Sequence, residues 1–84
     1  MDCNNKYIID NIPNNIEELY LNVIFNLKLD NLPSSIKIIK FNANSKYNKK
    51  LNNLPKLLEY LHIPKSLEDN IENLNPNCTI IFVY

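Results

Sequence analysis

Phe25-Asn26-Leu27-Lys28-Leu29-Asp30-Asn31-Leu32-Pro33 returns 22 residues later as Tyr47-Asn48-Lys49-Lys50-Leu51-Asn52-Asn53-Leu54-Pro55. Both stretches read aromatic-Asn-x-x-Leu-x-x-Leu-Pro. Self-similarity at a period of roughly 20–50 residues marks a stacked-repeat architecture, in which each unit buries its apolar face against the next. A small repeat fold of this kind offers a surface rather than a catalytic pocket.

Working outward, we take the residue before each proline as position zero, which gives Ile12, Leu32, Leu54 and Leu74 at spacings of 20, 22 and 20. In the last copy the proline slips one place, to Pro76 after Asn75. Four positions on, the column reads Ile16, Ile36, Leu58, Cys78. Seven on it reads Leu19, Ile39, Leu61, Ile81, and nine on it reads Leu21, Phe41, Ile63, Val83. Offsets seven and nine lie two apart and share one face of an extended strand. Strands are therefore expected over 17–22, 37–42, 59–64 and 79–84. Strands one full repeat apart need a crossover and so run parallel.

Phe25 with Leu29, Tyr47 with Leu51 and Leu67 with Ile71 are the expected inward residues of the return segments. Each return ends at a Leu-Pro step, because proline fixes its own φ and pushes the residue before it toward extended geometry. The third return has helical spacing at Leu67, Ile71 and Leu74, with Ser66 as a cap candidate. A competing reading joins Leu57, Leu58 and Leu61 to Leu67, Ile71 and Leu74 as a helical hairpin. The four-way column alignment favours the strands. The expected fold is thus an α/β-type repeat solenoid, leucine-rich-repeat-like. It has about four short parallel strands at a period of about 20–22 residues, with irregular or short helical returns. Residues 1–11 are expected to be a polar lead-in and residues 12–84 a single repeat domain.

The 84 residues are 45% hydrophobic, enough apolar area for a folded chain. Nine basic and nine acidic side chains cancel, so neither nucleic acid nor an anionic membrane is an expected partner. Glycine is absent, which excludes the phosphate-cradling loops that need it at fixed offsets. Asparagine fills 17 of 84 positions, and it is the best substitute for glycine where the backbone turns left-handed. Two cysteines, Cys3 and Cys78, are too few for a disulfide framework. With no long apolar run and no secretory leader, the expected location is intracellular and cytoplasmic.

The phrases Phe25-Asn26…Leu29…Leu32-Pro33 and Tyr47-Asn48…Leu51…Leu54-Pro55 resemble the FNIP repeat, a leucine-rich-repeat relative. The strand segment Ile16-x-x-Leu19-x-Leu21 is similar to its L-x-x-L-x-L consensus. The resemblance spans residues 12–84 and implies a short curved solenoid used for protein–protein interaction.

Few residues suggest chemistry. His62 is the only histidine and has neither a nucleophile nor an orienting acid beside it in the expected register. Cys78 falls in an apolar column as a core filler, whereas Cys3 lies in the polar lead-in. Glu68, Asp69 and Glu72 lack the ligand spacing of a calcium loop and read as a solvated face. No enzyme activity, cofactor or metal is expected.

The candidate binding surface is the outward, concave face of the strands, carrying Glu18, Ile38, Tyr60 and Ile80 in one column and Tyr20, Lys40, His62 and Phe82 in the next. Exposed aromatics with few charges are typical of the centre of a protein interface. The expected function is a non-enzymatic interaction module for an unidentified protein partner. The alternative is a structural repeat block that self-associates through Thr79–Tyr84, whose apolar sequence suits edge pairing.

Overall fold

The computed structural model describes residues 1–3 and 5–84. Five parallel strands form one sheet in sequence order: β1 (Asp2–Cys3), β2 (Glu18–Leu21), β3 (Ile38–Phe41), β4 (Tyr60–Pro64) and β5 (Thr79–Val83). A short helix α1 (Lys6–Asp10) follows β1, and a 3-10 helix (Lys65–Asn70) follows β4. The architecture is a small α/β repeat fold. Leu58 and Leu61, which the hairpin reading placed on a helix, are buried, with Leu61 inside β4; Leu57 is exposed.

Each repeat is built by the same local devices. A turn precedes β2, β3 and β4: the Ile16, Ile36 and Leu58 N–H groups donate to the Pro13, Pro33 and Pro55 carbonyls at 3.3, 3.3 and 3.1 Å. Leu19 and Leu21, Ile39 and Phe41, Leu61 and Ile63 then point to one buried face, as strand alternation requires. Asn22 and Asn42 stop β2 and β3. Their side-chain oxygens accept from the N–H groups of Ile24 (3.2 Å) and Asn44 (2.8 Å), closing turns that bend the chain out of the sheet. In the third repeat Pro64 takes that place at φ −66° and ψ 150°, and the chain enters the 3-10 helix without a side-chain cap. The expected Ser66 cap is therefore not formed.

The returns pack as the doubled phrase implies, with Phe25, Leu29, Tyr47, Leu51 and Leu67 all buried. Phe25 and Tyr47 stack with ring centroids 6.1 Å apart and 6° between planes, and Phe41 meets Tyr47 edge-on at 5.1 Å. The asparagine after each aromatic links the repeats, since Asn48 N–H donates to Asn26 Oδ1 at 3.3 Å. The Tyr47 hydroxyl donates to the Leu27 carbonyl at 2.9 Å. Asn73 takes φ 55°, a left-handed position filled by asparagine in a chain without glycine.

Two expectations change. The lead-in is part of the sheet: Cys3 pairs with Leu21, and its side chain is 0% exposed in the core. The last strand is shifted by one residue. Lys37 and Ile38 both donate to the Glu17 carbonyl, and Glu59 and Tyr60 both donate to the Lys37 carbonyl, so one residue is doubled where β3 and β4 begin. At β5 only Thr79 donates, to Glu59 at 2.9 Å. With that residue missing, Thr79 pairs with Tyr60, Ile80 with Leu61 and Phe82 with Ile63. Ile80 and Phe82 therefore pack against the core, and Ile81 turns to the other face.

Candidate functional site

The sheet has one face against the core and one open face, and register fixes two side-chain rows on the open side. The first is Glu18, Ile38, Tyr60, Thr79, and the second is Asp2, Tyr20, Lys40, His62, Ile81. Of the expected columns, Glu18, Tyr20, Ile38, Lys40, Tyr60 and His62 stand together as placed. Ile80 and Phe82 do not; the one-residue shift puts Thr79 and Ile81 in their stead. Ile-Ile-Phe-Val is apolar at every position, so alternation carries no signal that separates the two registers. The doubled hydrogen bond at the start of β3 and β4 leaves no mark in the repeat spacing, which aligns the fourth copy with the others.

The open face is half apolar. Tyr60 is 42% and Ile81 37% exposed, while Tyr20, Ile38, Lys40 and His62 are half-buried against their neighbours. The Lys40 ammonium lies 5.3 Å from the centre of the Tyr20 ring, a cation–π contact worth about 0.5–1 kcal/mol at such sites. The Tyr20 hydroxyl donates to Glu18 Oε1 at 3.1 Å, and that bond to a carboxylate raises the phenol's pKa above its ordinary value. Burial, and then the neighbouring Lys40 charge, hold His62 below the usual imidazole range. His62 is therefore neutral at pH 7, with a ring nitrogen free to accept a hydrogen bond. Among the described residues Lys40 has no carboxylate partner; the ion pairs are Lys6–Asp10, Lys37–Glu17 and Lys50–Glu72.

Beside these rows, Glu17, Lys37 and Glu59 alternate in charge along a depression of about 630 Å³ that also reaches Glu18, Tyr20 and Ile38. Lys37 and Glu17 approach to 3.9 Å, both well exposed, and such pairs contribute about 0–1 kcal/mol. Their alternation orients charge along the face more than it stabilises the fold. Cys3 and Cys78 are both free thiols, and burial pushes both pKa values up, away from nucleophilic reactivity. Cys78 is half-buried, less enclosed than a core filler, because it lies in the last layer.

Among the described residues no three His, Cys, Asp or Glu side chains gather where a metal ion would be held. No helix among them is long and apolar enough to cross a membrane. The FNIP Repeat family model matches residues 3–42. That segment runs from Cys3 in β1 to the Asn42 turn and contains the first copy of the doubled phrase. No curated protein and no solved structure matches the chain.

Proposed function

We propose, on the premise that this chain carries FNIP repeat sequence over residues 3–42, that it is a non-enzymatic protein-interaction module. The partner is a protein that docks on the open sheet face. The observation that supports this reading is the pair of register rows centred on Tyr20, Ile38, Lys40, Tyr60 and His62. They combine aromatic and apolar area with one cation that has no carboxylate partner among the described residues and one neutral imidazole. Purely parallel sheets are as a rule covered on both faces, and nothing among the described residues covers this one. Flat, rigid strands also hold such side chains at little entropic cost on binding.

Part of the row acts within the sheet, since Lys40 already packs on Tyr20. Tyr60 and His62 have no such contact and are the residues expected to carry binding. The family match, the neutral net charge and the absence of glycine agree with this reading. The module is expected to work in the cytoplasm, where Cys3 and Cys78 stay reduced.

The test is affinity capture from the native cell with the unaltered chain and with a Lys40→Ala, Tyr60→Ala, His62→Ala variant. A partner recovered by the first and lost by the second, with cooperative unfolding retained in both, supports the reading. Equal recovery by both chains overturns it.

A further inference from the structure

The core is sealed at one end of the sheet and open at the other. Leu19, Ile39 and Leu61 are fully buried, yet Ile80 in the same row is only half-buried. Cys3, Leu21, Phe41 and Ile63 are buried, and Phe82 beyond them is not. At the sealed end β1 covers the core edge and α1 follows it, carrying the exposed Lys6–Asp10 pair. At the other end β5 has no strand beyond it among the described residues. It also has no charge or proline within Thr-Ile-Ile-Phe-Val, the features that commonly blunt a free edge.

Hydrogen-bond parity defines what this edge can receive. Thr79 N–H donates to the Glu59 carbonyl in the ladder toward β4. Alternate residues of a parallel strand bond to the same neighbour, so Thr79, Ile81 and Val83 face β4. The N–H and C=O groups of Ile80 and Phe82 point away from the sheet. Two outward residues flanking one inward residue make a self-complementary edge. An antiparallel copy turned about a two-fold axis at Ile81 sets Ile80 opposite Phe82 of the second copy and Phe82 opposite its Ile80. Both are hydrogen-bonded pairs, four bonds in all, with the two Ile81 side chains adjacent on the open face.

We infer that β5 pairs antiparallel with β5 of a second copy of this chain, joining two five-stranded sheets into one. The half-buried Ile80 and Phe82 of each copy cover one another on the core side, which closes the exposed last layer. The strand is uncharged and the chain's formal net charge is zero, so no net repulsion opposes the approach. The nearest cation, Lys65, is drawn over its own Phe82 ring at 4.8 Å. A single strand edge is a small interface, of the class that associates weakly and reversibly. This pairing uses the backbone edge of β5, shares with the open docking face only Ile81 at its rim, and does not depend on partner docking.

Sedimentation equilibrium over about 1 µM to 1 mM, the range suited to weak association, tests the inference. Mass is expected to rise from 9.9 kDa toward twice that value. Ile81→Lys and Ile81→Glu should each stay monomeric, because like charges then meet at the axis, and their equal mixture should regain the dimer. Amide exchange on the unaltered chain gives a second readout that needs no substitution. Ile80 and Phe82 should slow as concentration rises, while the Ile81 amide, bonded within the sheet, should not change. A constant mass of 9.9 kDa overturns the inference and leaves the edge for another partner. A dimer in which Ile80 and Phe82 exchange independently of concentration also overturns it, by placing the interface elsewhere.

Discussion

Leu61→Ala and His62→Ala are adjacent substitutions in one strand that should differ severalfold in their cost to stability. Leu61 is fully buried and sits between Ile39 and Ile80 in the ladder. Truncation removes three carbons, about 2.4 kcal/mol at roughly 0.8 kcal/mol per buried methylene. The backbones on both sides are fixed by hydrogen bonds, so the space closes only in part and a cavity cost is added. The expected loss is about 3–4 kcal/mol. A chain of this size has roughly 4–13 kcal/mol in total, so the variant is near the limit of folding. His62 lies on the open face, where its side chain makes no hydrogen bond or ion pair among the described residues, and its loss should cost about 1 kcal/mol or less. Urea unfolding followed by circular dichroism at 25 °C reads both values, with the slope m unchanged for a two-state chain. Equal losses at the two positions would refute the assignment of the two faces, and with it the site.

Other expectations follow from the same contacts. Tyr47→Phe keeps the ring stack and loses the bond to the Leu27 carbonyl, costing about 0.5–1.5 kcal/mol, whereas Tyr47→Ala should cost about 3–5 kcal/mol; thermal or urea unfolding checks the ratio. Burial, with a smaller contribution from the Asp30 charge, pushes Tyr47 up to about 12 from 10.0. The folded state therefore resists ionisation that the unfolded chain accepts, and stability should be full below pH 10 and fall through pH 12, as alkaline unfolding would show. His62 has the opposite sign: its depressed folded pKa makes the unfolded chain bind protons first, so this contribution is lost as pH falls below the ordinary imidazole value of 6.5. Proton NMR should find its titration below 6.5, moving upward in Lys40→Met when the neighbouring charge is removed. A thiol reagent should modify Cys78 faster than the fully buried Cys3 in the folded chain; equal rates would contradict the burial of Cys3 by β1.

The interior strands were legible because three physical constraints agree there. Leu19, Leu21, Ile39, Phe41, Leu61 and Ile63 keep a period of two, the proline turns set the phase, and the repeat copies both. The inward aromatics were legible for the same reason: Phe25 and Tyr47 occupy one place in successive units and so stack on each other. At the two ends these constraints weaken. Asp2–Cys3 is too short to show a period, and only pairing with Tyr20 and Leu21 makes it a strand. The candidate face followed the same pattern: Glu18, Tyr20, Ile38, Lys40, Tyr60 and His62 lie on the open side of the sheet, whereas Ile80 and Phe82 on β5 turn inward.

Sequence alone determined that the chain repeats, that its strands run parallel, and which side chains of the three central units form the core. These are local properties, fixed by alternation, by proline geometry and by the spacing between copies. Tertiary structure decided how the sheet ends. Whether Ile80 or Ile81 faces inward depends on one doubled hydrogen bond at the neighbouring strand, and a uniformly apolar segment satisfies either register. Cys3 is buried because β2 offers it a free edge, a contact made across 18 residues that no local pattern encodes.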